Sequence, residues 1–230
     1  MAHAQLSIAE ALNALCVALV LIASFGMVAT RQIQGVVRLF VIQSLLVAMS
    51  ALLLGYDHQV FDLYALGIIT ILAKVIAIPW VLRRALPRDI YIRREIDQVL
   101  NIPSSLLLAL ALAIAAEIVV SPLASASVEV DVRMNLPIGL ACLLIGAYSL
   151  IARREAVPQL IGILAMENGA FLAGIAIASE LPLIAEIAVA IDVILIALIG
   201  GLLTWNINQT MGTTEAASMS ELKETILPWH

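Results

Sequence analysis

The sequence predicts an all-α, polytopic membrane protein, on three observations. The 230 residues are 63% hydrophobic and only 13% charged, with a mean hydropathy of +1.07, whereas a soluble domain of this size carries far more polar surface. Apolar runs long enough to cross a bilayer, which takes about 20 residues, recur along the whole chain. The basic residues fall almost entirely in alternate gaps between those runs.

Seven spans are expected, roughly at 6–29, 36–55, 61–82, 103–122, 135–152, 156–179 and 182–205. Residues 1–9 contain no Lys or Arg, so the first run lacks the positive segment of a cleavable secretory signal and reads as a membrane helix. The gaps on one side receive Arg31, Arg38, Arg83, Arg84, Arg88, Arg93, Arg94, Arg153, Arg154 and Lys223. The other side receives Arg133, and Lys74 falls within a span. Lys and Arg stay on the cytoplasmic side, so the N-terminus is expected outside and the C-terminus inside, in a cell (inner) membrane.

Between spans three and four lies "RRALPRDIYIRREIDQVLN", residues 83–101. Ile92, Ile96, Val99 and Leu100 recur at helical spacing, which suits a short amphipathic helix on the cytoplasmic surface. Either a solvated charged loop or a docking element for a cytoplasmic partner or anionic lipid fits this pattern. The tail, 206–230, is polar.

The first and last three spans resemble each other. Each triple opens on a span ending in arginine (Arg31; Arg153 and Arg154), continues with a span holding one polar residue (Gln43; Glu167), and closes on a span with one charge near its middle (Lys74; Asp192). Because a fourth span separates them, the triples run in the same direction. They form a parallel repeat, unlike the inverted repeats of many secondary transporters. The expected organisation is a three-helix unit over 1–82, a cytoplasmic segment plus linker helix over 83–134, a second three-helix unit over 135–205 and a tail over 206–230.

The charges inside the spans are the candidate functional residues. Glu167 lies in "GILAMENGAF", in a stretch from Ala156 to Ser179 with no other charge. At about 1.5 Å per residue it sits roughly 16 Å from the cytoplasmic edge of its span, and Asp192 about 14 Å from the outer edge of the next. The two meet at similar depth. Lys74 is midway down its own span, and Gln43 is about 10 Å inside its edge. An ionised side chain at that depth is expensive, and a carboxyl escapes the cost by taking up a proton or pairing with a cation. Glu167, Asp192 and Lys74 are therefore candidates for a proton relay. Gln43 and Asn168 are possible relay members or helix contacts, as are Glu117 and Glu186, which lie closer to span ends. The alternative throughout is helix glue, hydrogen bonds or a static salt bridge without transport. Each span carries about one such residue, which fits a lateral wire across helices better than a pore along one face.

Cys16 and Cys142 lie in separate spans and His3, His58 and His230 are scattered, so no metal, haem or iron–sulfur ligand set is legible. No catalytic residue and no cofactor are expected of this chain itself.

The segments "ARREAVPQLIGILAMENGAFLAGIAI" and "EIAVAIDVILIALIGGLL" resemble the three-helix subunit K of complex I over about residues 135–205. Seven spans ending in this triple resemble component E of hydrogenase-4, a membrane subunit of group 4 [NiFe]-hydrogenase and formate hydrogenlyase complexes. By that resemblance Glu167 matches the glutamate of the second subunit K helix, and Asp192 that of the third, one methylene shorter. Gln43 and Lys74 would hold the equivalent places in the first triple, where a glutamine cannot titrate. The resemblance implies a subunit without redox centres, partnered by antiporter-like and other membrane-arm subunits. Cytoplasmic hydrogenase subunits would lie near 83–101, with the bilayer around it and no nucleic acid. Related subunits occur in multisubunit cation/proton antiporters. Three readings follow: a non-catalytic subunit of a proton-translocating hydrogenase, a subunit of an antiporter with no redox enzyme, and a structural spacer.

Overall fold

The computed structural model describes residues 7–85, 99–127 and 130–177. The expected seventh span with Asp192 and Glu186, most of the cytoplasmic segment and the tail lie outside the described residues. All the described elements are helical. Among the described residues six helices are long and apolar enough to cross a membrane, and they make a polytopic membrane protein.

Helix α1 (Ile8–Ala29) opens on a capping box: Ser7 Oγ accepts from the Glu10 amide and Glu10 Oε2 accepts from the Ser7 amide. This satisfies two of the amides that a helix start leaves over. Helix α2 (Ile33–His58) ends at Gln59, which takes the left-handed conformation (φ 57°) while its amide bonds back to the Gly55 carbonyl.

The third crossing is one rod with a changed winding. It runs as α3 (Phe61–Thr70), a π-helical stretch over Ile71–Ala77, and α4 (Ile78–Ala85). Pro79 cannot donate to the carbonyl four residues back and its ring crowds that position. The ladder just before it is wound in the wider π register, and Lys74 sits within that stretch. Helix α5 (Ile102–Ala126) starts at Asn101, whose side chain accepts from the Ser104 amide. It is followed by α6 (Val130–Ala152) and α7 (Ala156–Ile177).

Helices α6 and α7 form the tightest pair, and glycine is the reason. Gly139 and Gly146 on α6 alternate with Gly162 and Gly169 on α7. A Cβ on Gly169 would stand 2.3 Å from the Leu143 amide nitrogen, and one on Gly146 would stand 2.5 Å from that of Met166. Small residues let membrane helices approach this closely where lipid tails are as apolar as leucine. Helix α1 packs on α2 and α6, α7 packs on α2, and α5 covers α6. Arg153, in the turn after α6, is buried and donates to the Met27 carbonyl in the last turn of α1. A cation suits that end of a helix, where carbonyls are left over. Burial pushes the guanidinium down to about 10, so it remains charged at neutral pH.

The core divides by depth. One apolar cluster gathers Met27, Val36, Phe40, Leu82, Ile161 and Leu164, near the arginine-rich end. A second gathers Val17, Val47, Leu54, Leu63, Leu172 and Ile175, toward the opposite end. On α1, α2, the third crossing and α7, buried polar residues lie between the two clusters: Ser24, then Gln43 and Ser44, then Lys74, then Asn168.

Candidate functional site

Four helical segments contribute to that intermediate layer. Lys74, on the π stretch, is 3% exposed. Its Nζ lies 3.2 Å from Glu167 Oε1 and donates to Asn168 Oδ1 at 3.1 Å. Glu167 and Asn168 are consecutive on α7, so their side chains leave the helix about 100° apart, and the ammonium is placed between them. The Asn168 amide nitrogen donates to Gln43 Oε1 at 3.2 Å and to Ser44 Oγ at 2.9 Å, both on α2. Gln43 Nε2 donates to Ser24 Oγ on α1 at 2.8 Å. The Ser24 hydroxyl lies 2.9 Å from the Val20 carbonyl and 3.2 Å from Cys142 Sγ on α6, and its one proton serves one of these at a time.

The layer is thus a lateral chain of contacts from Glu167 through Lys74, Asn168 and Gln43 to Ser24, crossing the bundle rather than running along it. Gln43, Ser44 and Asn168 are fully buried. Local sequence explains the placement. The glycine seam fixes the rotation of α7, so that Gly162 and Gly169 face α6 while Asn168 faces α2. On α2, Phe40, Gln43 and Val47 share one buried face at helical spacing.

Chemically, the Lys74–Glu167 pair has two states with the same total charge. One is ammonium with carboxylate; the other is amine with carboxylic acid, one proton having moved between them. The ionised form satisfies the rule that charges in a membrane interior are paired, and Asn168 accepts from either form of the nitrogen.

The structure brings together Glu167, Lys74, Asn168 and Gln43. It does not bring Glu117 to them. Glu117 is exposed on α5, a helix packed on α6 and α1. Because α5 continues to Ala126, beyond the expected end at 122, Glu117 is about 13 Å from the helix end by the helical rise rather than about one turn. Asp192 and Glu186 lie outside the described residues.

Sequence reasoning missed several polar groups. Ser24 and Ser44 complete the layer, but serine is common in membrane helices and gives no signal alone. A second buried cluster joins three helices: Asn13 Nδ2 donates to Asn135 Oδ1 at 3.0 Å and Ser50 Oγ donates to Asn13 Oδ1 at 2.6 Å. The two asparagines, each near the start of an apolar run, were a legible signal for it. Among the described residues no group of three His, Cys, Asp or Glu side chains could hold a metal ion.

Residues 135–224 match the family model described as NADH-ubiquinone/plastoquinone oxidoreductase chain 4L. That region includes α7 with Glu167 and Asn168. An uncharacterized protein of Mycobacterium tuberculosis is 28% identical over 204 residues, covering 88% of this chain and 92% of that protein. No solved structure matches the chain. The C-terminal part is therefore similar to a membrane subunit of a proton-translocating redox complex, a kind of subunit that works within a multisubunit assembly.

Proposed function

We propose that this chain is a non-catalytic membrane subunit of a proton-translocating complex of the group 4 [NiFe]-hydrogenase or formate hydrogenlyase type, and that its buried polar layer is part of a lateral proton relay. The observation that carries this reading is the Lys74–Glu167 contact at 3.2 Å inside the bundle. A proton arriving at the ionised pair neutralises Glu167 and leaves Lys74 an unbalanced cation, which favours loss of a proton from Lys74 onward. The pair can therefore take up a proton at one side and release one at the other without holding net charge for long. Asp192, on the next span, is the proposed neighbour of Glu167 in this wire. The partners are antiporter-like and other membrane-arm subunits, with cytoplasmic hydrogenase subunits near residues 83–101. The proposed setting is a cell (inner) membrane, with the N-terminus outside and the C-terminus cytoplasmic.

The test is Glu167→Gln in the assembled complex. Glutamine keeps shape and much of the hydrogen bonding but cannot ionise. Stability is lowered because Lys74 loses its counter-charge. In the complex that assembles, turnover of the catalytic partner with an artificial electron carrier should persist, while ion translocation per assembled complex should fall by an order of magnitude or more, the usual scale for removing a proton-transfer group. Parental translocation in Glu167→Gln would eliminate the relay.

A second reading has its own support. Gln43 and the amide nitrogen of Asn168 are bonded to each other and to Ser24 and Ser44, and the Asn168 oxygen accepts from Lys74, as expected of static glue between helices. Under that reading Glu167→Gln lowers stability or assembly, and any translocation loss follows the amount of complex.

A further inference from the structure

Away from the polar layer, the outer faces of α2 and the third crossing leave a groove of about 530 Å³ between them. That volume lies within the range of small-molecule sites, about 300–1,000 Å³. Its floor and walls are apolar: Val41 and Ile42 on one side, Val75, Ile76 and Pro79 on the other. Trp80 and Ile42 stand at its lips, 62% and 49% exposed. The groove is also lined by two arginines on opposite walls, Arg38 from α2 and Arg83 from α4.

The polar and apolar parts are sorted by depth. Arg83 is next to the end of α4, and Arg38 is about 7 Å inside the start of α2 by the helical rise. Both belong to the arginine-rich end of the bundle. Val41 and Ile42 follow Arg38 by about one turn toward the bundle centre, as Val75 and Ile76 precede Arg83 by about two. The groove is cationic at its mouth and apolar along its depth. Among the described residues neither arginine is in an ion pair. Two guanidinium groups lining one groove, from α2 and from α4, suit the oxygens of a phosphodiester, which arginine binds through paired N–H donors. Trp80 is placed where indoles sit at the edge of the hydrocarbon.

We infer that this groove is a binding site for an anionic phospholipid, with the headgroup phosphate held between Arg38 and Arg83 and an acyl chain lying along Val41, Ile42, Ile76 and Pro79. The charge sorting selects this occupant. A purely apolar helix offers nothing to the two guanidinium groups at its edge, whereas an anionic amphiphile complements both ends of the groove. Juxtamembrane arginines attract anionic lipid through the same electrostatics. The site is independent of the proposed relay, since none of its lining residues belongs to the polar layer.

Trp80 is a built-in reporter. The chain has three tryptophans, so a W205F/W229F background isolates Trp80. The full chain is reconstituted into phosphatidylcholine vesicles containing a minority of phosphatidylglycerol. Acyl-chain bromines, which quench indole fluorescence on contact, are placed on one lipid at a time at equal mole fraction. Brominated phosphatidylglycerol should quench Trp80 with a preference on the order of tenfold over brominated phosphatidylcholine, given two basic residues at the headgroup. R38Q/R83Q should erase the preference, whereas R31Q/R84Q, which removes as much charge from the same end of the bundle, should keep it. If R38Q/R83Q does not fold, R38K/R83K retains charge without the planar fork and should reduce the preference without abolishing it. Equal quenching by the two lipids in the parent means ordinary boundary lipid and overturns the proposal. No quenching by either means that protein, from this chain or another, fills the groove, and overturns it too. Retention of the preference in R38Q/R83Q overturns the assignment to these arginines.

Discussion

Lys74 and Glu167, from helices far apart in the chain, meet as an ion pair of 3.2 Å with both side chains almost wholly buried. Such a pair is costly to assemble and more costly to break, because removing one partner strands the other charge in a medium that cannot solvate it. In proteins generally the loss is about 3–5 kcal/mol for a single deletion, and replacing both partners by apolar groups of similar volume is often neutral or stabilising. Lys74→Met and Glu167→Leu should therefore each lower the melting temperature in detergent markedly, and K74M/E167L should recover most of the loss. Additive losses in the double variant would mean that the two charges are not coupled in the folded chain.

Much of this arrangement was legible in the sequence. One polar residue per apolar run stands out against a uniform background, and its depth follows from counting residues at the helical rise. That is how Glu167, Lys74, Asn168 and Gln43 could be singled out. Direction around the helix was not legible, because runs apolar on all sides have no polar face to orient them. Whether Lys74 met Glu167 or turned elsewhere depended on the rotation of two helices. On α7 that rotation is set by glycines whose role appears only when Leu143 and Met166 are seen against them. On the third crossing it is altered by a π stretch before Pro79. The end of α5 was set short as well: the expected span stops at 122, yet the helix passes through Pro122 to Ala126. Serines such as Ser24 carry no depth signal at all.

The glycine seam makes a separate prediction. Gly169→Ala places a methyl group where backbone atoms of Leu143 already lie, at 2.3 Å from its nitrogen. Backbone cannot rotate away as a side chain can, so α6 and α7 must separate. Gly26→Ala would instead meet only the Leu39 methyls, at 3.2 and 3.3 Å, which can move. Overpacking typically costs about 1–3 kcal/mol. Gly169→Ala should melt several degrees below the parent in detergent while Gly26→Ala should stay close to it. Equal melting temperatures for both would contradict this helix spacing.

Topology is accessible through exposed interhelical positions. Arg31 and Gln59 are exposed and lie at opposite ends of α2. In a background lacking Cys16 and Cys142, Arg31→Cys and Gln59→Cys should react with a membrane-impermeant maleimide from opposite sides. The side reached by Arg31→Cys should be the cytoplasm, where basic residues are retained. Labelling of both from one side would mean that α2 does not cross the membrane. Labelling from reversed sides would invert the orientation.

Charge reversal separates a relay from glue more sharply than any single removal. K74E/E167K keeps one cation and one anion at the same two positions, so an arrangement that matters only as a static salt bridge should survive it. Helix α7 would then present ammonium and the π stretch carboxylate. Each group reaches from a side chain of different length, so some stability is lost, but less than in either single reversal, where two like charges would be buried together. A relay is not symmetric in this way. If Glu167 exchanges protons with Asp192, moving the carboxyl to position 74 puts a cation beside Asp192, which would hold that aspartate ionised. The wire would be cut at that step. The expected result in the assembled complex is near-parental assembly, near-parental turnover of the catalytic partner with an artificial electron carrier, and loss of translocation by an order of magnitude or more. Parental translocation in K74E/E167K would show that only the pairing matters and would assign the layer to structure.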